Sequence, residues 1–505
     1  MHLYPRRSLL EGAEAEIFKL LSFGATPEQW AEWLRAPLEH AATRGNLDLV
    51  TRLLKAGAIG GAGWRGCRGR TMLDAAALGG NPDVVAALLQ AGCRPDAKVV
   101  SVSSKRSALH LAVVCGHKEV ARKLILSGAN VKYIDPADQC SPLYAAAAGG
   151  HDDTTTDLLI SGASPHVGDF EHGHKPLHVA AAMGHAKVAS VLLENAAHVN
   201  SLDYDDSSAL MLASQNGHLS TAKLLLAAGA DVHQRNDSSR SALDFAAVKG
   251  HVGVVKAVLE HGADVTKRDD CLWTALHWAA TSNQATVDAL LDAGADVNAE
   301  ASGSMTPLHF AAASNSTETL IALLRRGADV DKTSSRGRTA LHRACAIKKA
   351  GLETMVDLLL RWGASEMAVN DDGKTPADML EKRGTRTNPC SEAEVERVRA
   401  LLACAPADRA WRRRCWLVML RSRAEKERLA RLAGNGSSKS EGTCSTNKVG
   451  RTDAADRGGN AGGRGVGCAS VKGSGAAAGG GLSNWVAALI ELESEGLFRA
   501  IVSFV

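Results

Sequence analysis

The chain has 505 residues, is 45% hydrophobic and only 4% aromatic, and carries a formal net charge of +3. A single globule of that length would need several aromatic-rich cores, so the composition argues against one and for thin units that each bury a neighbour's face. So small a net charge gives no argument for nucleic acid as a partner of the whole chain. The first predicted element is a helix in Ala25–Leu34, where Thr26 can cap the first turn and Pro27 fits the first helical position. Residues 1–35 are read as an N-terminal helical cap.

A phrase with a period of about 33 residues follows. It reads Ser141-Pro142-Leu143-Tyr144-Ala145-Ala146, then Lys175-Pro176-Leu177-His178-Val179-Ala180-Ala181. It returns as Thr274-Ala275-Leu276-His277-Trp278-Ala279-Ala280, Thr306-Pro307-Leu308-His309-Phe310-Ala311-Ala312 and Thr339-Ala340-Leu341-His342-Arg343-Ala344. The opening Ser or Thr can cap a helix, and Pro142, Pro176, Pro307 and Pro376 suit its first position. Gly45, Gly80, Gly116, Gly150, Gly184, Gly217 and Gly250 are placed to end that helix in a left-handed turn, with Asn283 and Asn315 substituting in two units. A second helix has apolar residues at helical spacing, as in Val254, Val255, Val258 and Leu259, and ends at a second Gly such as Gly262 or Gly294. The spacing and wording resemble the ankyrin repeat over about residues 36 to 404. The resemblance implies an all-α solenoid of helix-turn-helix units with projecting β-hairpin loops. It also implies that Val131, Val199, Val232, Val265, Val297 and Val330 anchor the hairpins, and that His110, His178, His277, His309 and His342 bond within and between units rather than catalyse.

The expected organisation is a solenoid over 36–404, of about ten units and a diverged last one. The first unit, Pro37 to Ala58, lacks the opening Thr and carries His40 where an apolar residue is usual. The Gly-rich Gly57 to Arg70 replaces its hairpin, and the last unit starts at Thr375-Pro376-Ala377-Asp378, with a second helix over Ser391 to Cys404. Residues 405–433 are predicted as a basic amphipathic helix bearing Trp411, Arg412, Arg413, Arg414, Trp416 and Arg421. Such a helix suits an acidic membrane surface, a calmodulin-like groove or a covering for the last repeat. A disordered Gly-rich linker over 434–482 and an apolar helix over 483–505, starting at the potential cap Ser483, complete the chain.

Eleven cysteines, scattered and without a Cys-x-x-Cys pair, read as reduced thiols, and the stretch Met1–Arg7 has no apolar core behind its arginines. These features lead to an expected location in the cytoplasm, with the nucleus as the alternative. The histidines His166, His172, His174 and His178 with Glu171 form the densest metal-ligand cluster, but the ligand set lacks a cysteine and includes a repeat-phrase His. The run Gly462–Gly467 lacks the Lys-Ser/Thr of a phosphate loop. No catalytic residue, metal or cofactor is therefore expected.

The functional expectation is a non-enzymatic scaffold or adaptor that holds a protein partner on the concave face of the repeats. In the family's pattern the contacts fall on variable positions beside the fixed phrase. Here these are Arg106, Glu171, His172, His174, Met183, Tyr204, Gln215, Asn216, Asp237, Arg240, Lys249, Trp273 and Met305. The rival expectation is an adaptor targeted to a membrane surface, or regulated by calmodulin, through the basic helix over 409–431. Nucleic acid is not an expected partner.

Overall fold

The computed structural model describes residues 34–55, 71–96, 106–135, 140–347, 349–381 and 391–405. The cap helix in Ala25–Leu34, apart from Leu34 itself, lies outside them, as do Gly57–Arg70, the basic helix beyond residue 405, the linker and the C-terminal apolar segment.

Ten helix pairs are described. They are α1 Arg35–Thr43 with α2 Leu47–Lys55, α3 Met72–Gly79 with α4 Pro82–Gln90, α5 Ala108–Val114 with α6 Lys118–Leu126, and α7 Pro142–Gly149 with α8 Asp152–Ile160. There follow α9 Pro176–Met183 with α10 Ala186–Glu194, α11 Ala209–Asn216 with α12 Leu219–Ala227, and α13 Ala242–Lys249 with α14 Val252–Glu260. The last three are α15 Ala275–Ala279 with α16 Gln284–Asp292, α17 Pro307–Ser314 with α18 Thr317–Arg325, and α19 Ala340–Ile347 with α20 Leu352–Arg361. An eleventh unit has a 3-10 turn, Asp378–Glu381, in place of its first helix, and a second helix, α21, over 392–405. Ser391 Oγ accepts the Glu394 N–H at its start. By compactness the described residues fall into two units, one running to Leu359 and resuming over Ala364–Arg399, the other holding Leu360–Gly363 and 400–405.

From α1 to α18 each helix packs on its own partner and on its counterpart in a neighbouring pair, and α17 packs on α19. The small Ala pair of the phrase permits this approach. Ala146, Ala180, Ala246, Ala279 and Ala311 are fully buried, as are Leu143, Leu225, Leu276 and Leu323. The core is thus a continuous layer between neighbours, which explains how so few aromatic residues suffice.

The expected glycines do adopt the left-handed conformation, for example Gly80 at φ 73° and Gly217 at φ 76°. Space dictates glycine there as well. A Cβ on Gly80 would lie 2.5 Å from the ring of His117 in the next unit, and one on Gly217 would lie 2.6 Å from His251. Asn315 takes the same turn at φ 62°, but Asn283 does not. It sits at φ −144° and caps α16, its Oδ1 accepting the Thr286 N–H at 2.9 Å. The helix before it, α15, stops after five residues without a left-handed residue, which frees Asn283 for that role.

Among the described ends of the second helices, one left-handed position is not a glycine. Two residues beyond α10, Ala196 is exposed at φ 65°. An alanine there is strained by its Cβ. Ala196→Gly is expected to stabilise the chain by about 1 kcal/mol, the relief of strain exceeding the added chain entropy. Chemical denaturation followed by helix signal checks it. An unchanged or lower midpoint would contradict the strain.

Candidate partner-binding surface

The loops between pairs fold into tight turns closed by backbone bonds such as Asp203 N–H to Ser207 O, Asn236 N–H to Arg240 O and Asp269 N–H to Trp273 O. Isolated bridges join Leu202 to Ser208 and Ala301 to Met305. Successive tips are tied by single backbone bonds: Tyr204 N–H to His172 O, Asp237 N–H to Asp205 O, Ser302 N–H to Cys271 O and Ser335 N–H to Gly303 O. Val131, Val232 and Val265 are buried beneath the loops, while Val199, Val297 and Val330 are half-buried.

The phrase histidines hold these loops from below. His178, His277, His309 and His342 are at most 1% exposed. In each, Nδ1 accepts the N–H of the residue that opens the phrase, Thr274 to His277 at 3.0 Å and Lys175 to His178 at 3.1 Å. The proton is therefore on Nε2, which donates forward into the next loop. His178 reaches Ser201 O at 2.8 Å, His277 reaches Ala299 O at 3.0 Å and Met305 O at 3.2 Å, and His342 reaches Lys374 O at 3.0 Å. Burial holds the imidazoles of His178 and His277 down to about 4, and those of His309 and His342 below the ordinary value. The expected capping by the opening hydroxyl occurs at Ser107, Ser141 and Ser241, but it is reversed at Thr274 and Thr306. There the hydroxyl donates to the histidine Nδ1 at 2.9 Å, because that nitrogen is the better acceptor within reach.

A second histidine row, absent from the sequence expectations, begins the second helices at His117, His151, His185, His218 and His251. Four of them point an Nε2 back at a carbonyl of the preceding unit, such as His218 at Ala182 O, 2.9 Å away. The repeated Gly-His pair was the available signal.

Several of the proposed contact residues serve inside the stack. Arg106 lies 3.3 Å from Asp135, His174 lies 3.2 Å from Asp203, and Arg240 lies 3.7 Å from Asp269. Each runs from one loop to a buried carboxylate in the next. Asn216 donates to the carbonyls of Ala182 and Leu212. Gln215 and Met305 are half-buried, and their carbonyls accept from His251 and His277. By contrast Tyr204 is 67% and Met183 56% exposed, and Glu171, His172, Asp237 and Lys249 are also exposed. The ring of Tyr204 lies over Gly173, where a Cβ would come within 2.6 Å of it. His172 and His174 stack at 5.1 Å, but no group of three or more His, Cys, Asp or Glu side chains among the described residues is placed to hold a metal ion. Residues Trp411, Arg412, Arg413, Arg414, Trp416 and Arg421 lie outside the described residues. No helix among the described residues is long and apolar enough to cross a membrane.

The densest assembly surrounds Trp273. This half-buried ring lies 4.3 Å from Trp278 and 4.2 Å from Phe310, and so joins two units. The Arg240 guanidinium sits 4.2 Å over Trp278. Asp269, 4% exposed, organises the group. Its Oδ1 accepts the N–H groups of Cys271 and Trp273, each at 2.9 Å, and its Oδ2 accepts Trp278 Nε1 at 3.2 Å. Trp278 and Phe310 were not among the sequence candidates, although each follows the fixed His of its phrase and varies between units.

A family model described as "Ankyrin repeats (3 copies)" matches residues 9–99, 38–135, 109–203, 210–301 and 276–371, more than half of the chain. No curated protein matches it.

Proposed function

Because the chain belongs to the ankyrin-repeat family, whose repeats generally mediate protein–protein interaction, we propose that it is a non-enzymatic scaffold or adaptor that holds a protein partner on the concave, loop-bearing face. The observation that carries the reading is the Trp273 assembly. Three aromatic rings and a guanidinium meet across neighbouring units at the mouth of the loops, and tryptophan remains half-exposed there. Tryptophan and arginine are the side chains that most often dominate binding energy at interfaces. Exposed Tyr204 and Met183, three units earlier at most, extend the same kind of surface.

Affinity capture with the full chain, followed by Trp273→Ala and separately Tyr204→Ala, tests the reading. Loss of specific partners is expected in at least one variant, with helix signal preserved. Tyr204→Ala guards against a folding effect, since that side chain is largely exposed. Arg240 is a poor test residue because it also faces buried Asp269. If both variants keep every partner, the binding site is not on this face.

A further inference from the structure

The loop before α19 and its first turn carry three arginines, Arg336, Arg338 and Arg343. The Nε atoms of Arg338 and Arg343 are shielded from solvent, and neither meets a hydrogen-bond acceptor among the described residues. Arg338 has another outlet, Nη2 donating to Asp372 at 3.3 Å. Arg343 has no carboxylate or carbonyl partner among the described residues. Burial and then the like charges of Arg338 and Arg336 hold its guanidinium below the ordinary value. An arginine cannot shed its proton to escape that penalty. Partial burial of a charge without a counter-ion destabilises the fold. The stack's own contacts therefore give no account of Arg343.

Its position does. Arg343 follows the fixed His342, as Phe310 follows His309 and Trp278 follows His277. The first helices α15, α17 and α19 pack in succession, so these three side chains form one row. The aromatic shelf leads to an uncompensated guanidinium.

We propose that Arg343, flanked by Arg338 and Arg336, is a carboxylate subsite of the partner face. It takes an Asp or Glu side chain from an extended segment of a protein partner, which runs back across Phe310 so that an apolar residue several positions away lies on Trp273 and Trp278. The planar guanidinium fork matches a carboxylate. Exposed carboxylates along the row of tips, Asp371 on the next one and Asp270 and Asp237 two and three tips before, would repel a continuous phosphate backbone more than a single acidic side chain. The inference rests on the binding-face reading above.

The test uses the full chain against a displayed library of random linear peptides. Selected peptides are expected to carry Asp or Glu several positions away from an apolar residue. They should lose about tenfold or more in affinity on Arg343→Gln, as befits a hydrogen bond to a charged group. The thermal midpoint of Arg343→Gln should stay level or rise, since no native partner is lost. Arg343→Glu should select basic peptides instead. Acidic peptides that bind Arg343→Gln as tightly as the parent, or a lowered midpoint, overturn the subsite. So does a single-stranded RNA oligonucleotide that displaces the selected peptides from Arg343. Peptides without acidic preference that are lost on Trp273→Ala overturn the subsite and leave the binding face standing. Failure to recover any peptide sensitive to Trp273 or Arg343 overturns both.

Discussion

Lowering the pH from about 6.5 towards 4 should sharply destabilise the repeat stack. His178 and His277 are held down to about 4 by burial in the folded chain, against an ordinary 6.5. Above 6.5 both are neutral, folded or not, and their contribution is fully present. As the pH falls from 6.5 the unfolded chain takes up protons first, and stability drains away until about 4. Each unit of difference corresponds to about 1.4 kcal/mol, so each of these two histidines costs about 3 kcal/mol over the window. His309 and His342 shift in the same direction. The geometry explains why no relaxation is available. A second proton would go to Nδ1, which already accepts a backbone N–H in each of these rings. Burial pushes the Asp244 carboxyl up and so works in the opposite sense, while His40 and His166 are lowered along with the phrase histidines. Denaturant midpoints measured by circular dichroism across this range provide the check. A flat profile between pH 6.5 and 4 would show that the histidines are not held neutral.

Asp269→Ala should be the most damaging single change at the aromatic assembly. It removes the acceptor for two loop N–H groups and the Trp278 indole, and it strands Arg240 above a ring with no carboxylate beneath. Breaking a buried charged network on one side costs about 3–5 kcal/mol. Asp269→Asn keeps an oxygen for the loop and should cost distinctly less. Tryptophan emission should shift towards longer wavelength in the Ala variant as Trp273 loses its support. In a solenoid the loss spreads to the neighbouring units through their shared faces. If Asp269→Ala matches the parent in midpoint and emission, the carboxylate does not organise the loop.

The sequence by itself determined what repeats locally. The Ser, Thr and Pro openings, the Ala pair and the helical spacing of Val254, Val255, Val258 and Leu259 each act within one or two turns, and the helices lie where those signals place them. Glycine at a left-handed turn is equally local, so Gly80 and Gly217 were legible. Asn283 was not, because its conformation follows from the shortening of α15 to five residues, and Ala196 was not, because an alanine stands where the register puts glycine. Most of the candidate surface was also beyond reach. Variable positions beside the phrase identify where side chains emerge, but not what they meet. Arg106, His174 and Arg240 each meet a carboxylate 29 residues further on, in another unit. Trp273 meets Phe310 in the next pair, and Arg343, in the same row, meets no counter-ion among the described residues. Only the stacking of one unit on the next decides which charged side chains are neutralised within the fold and which remain available, because that depends on distances between residues a full repeat apart.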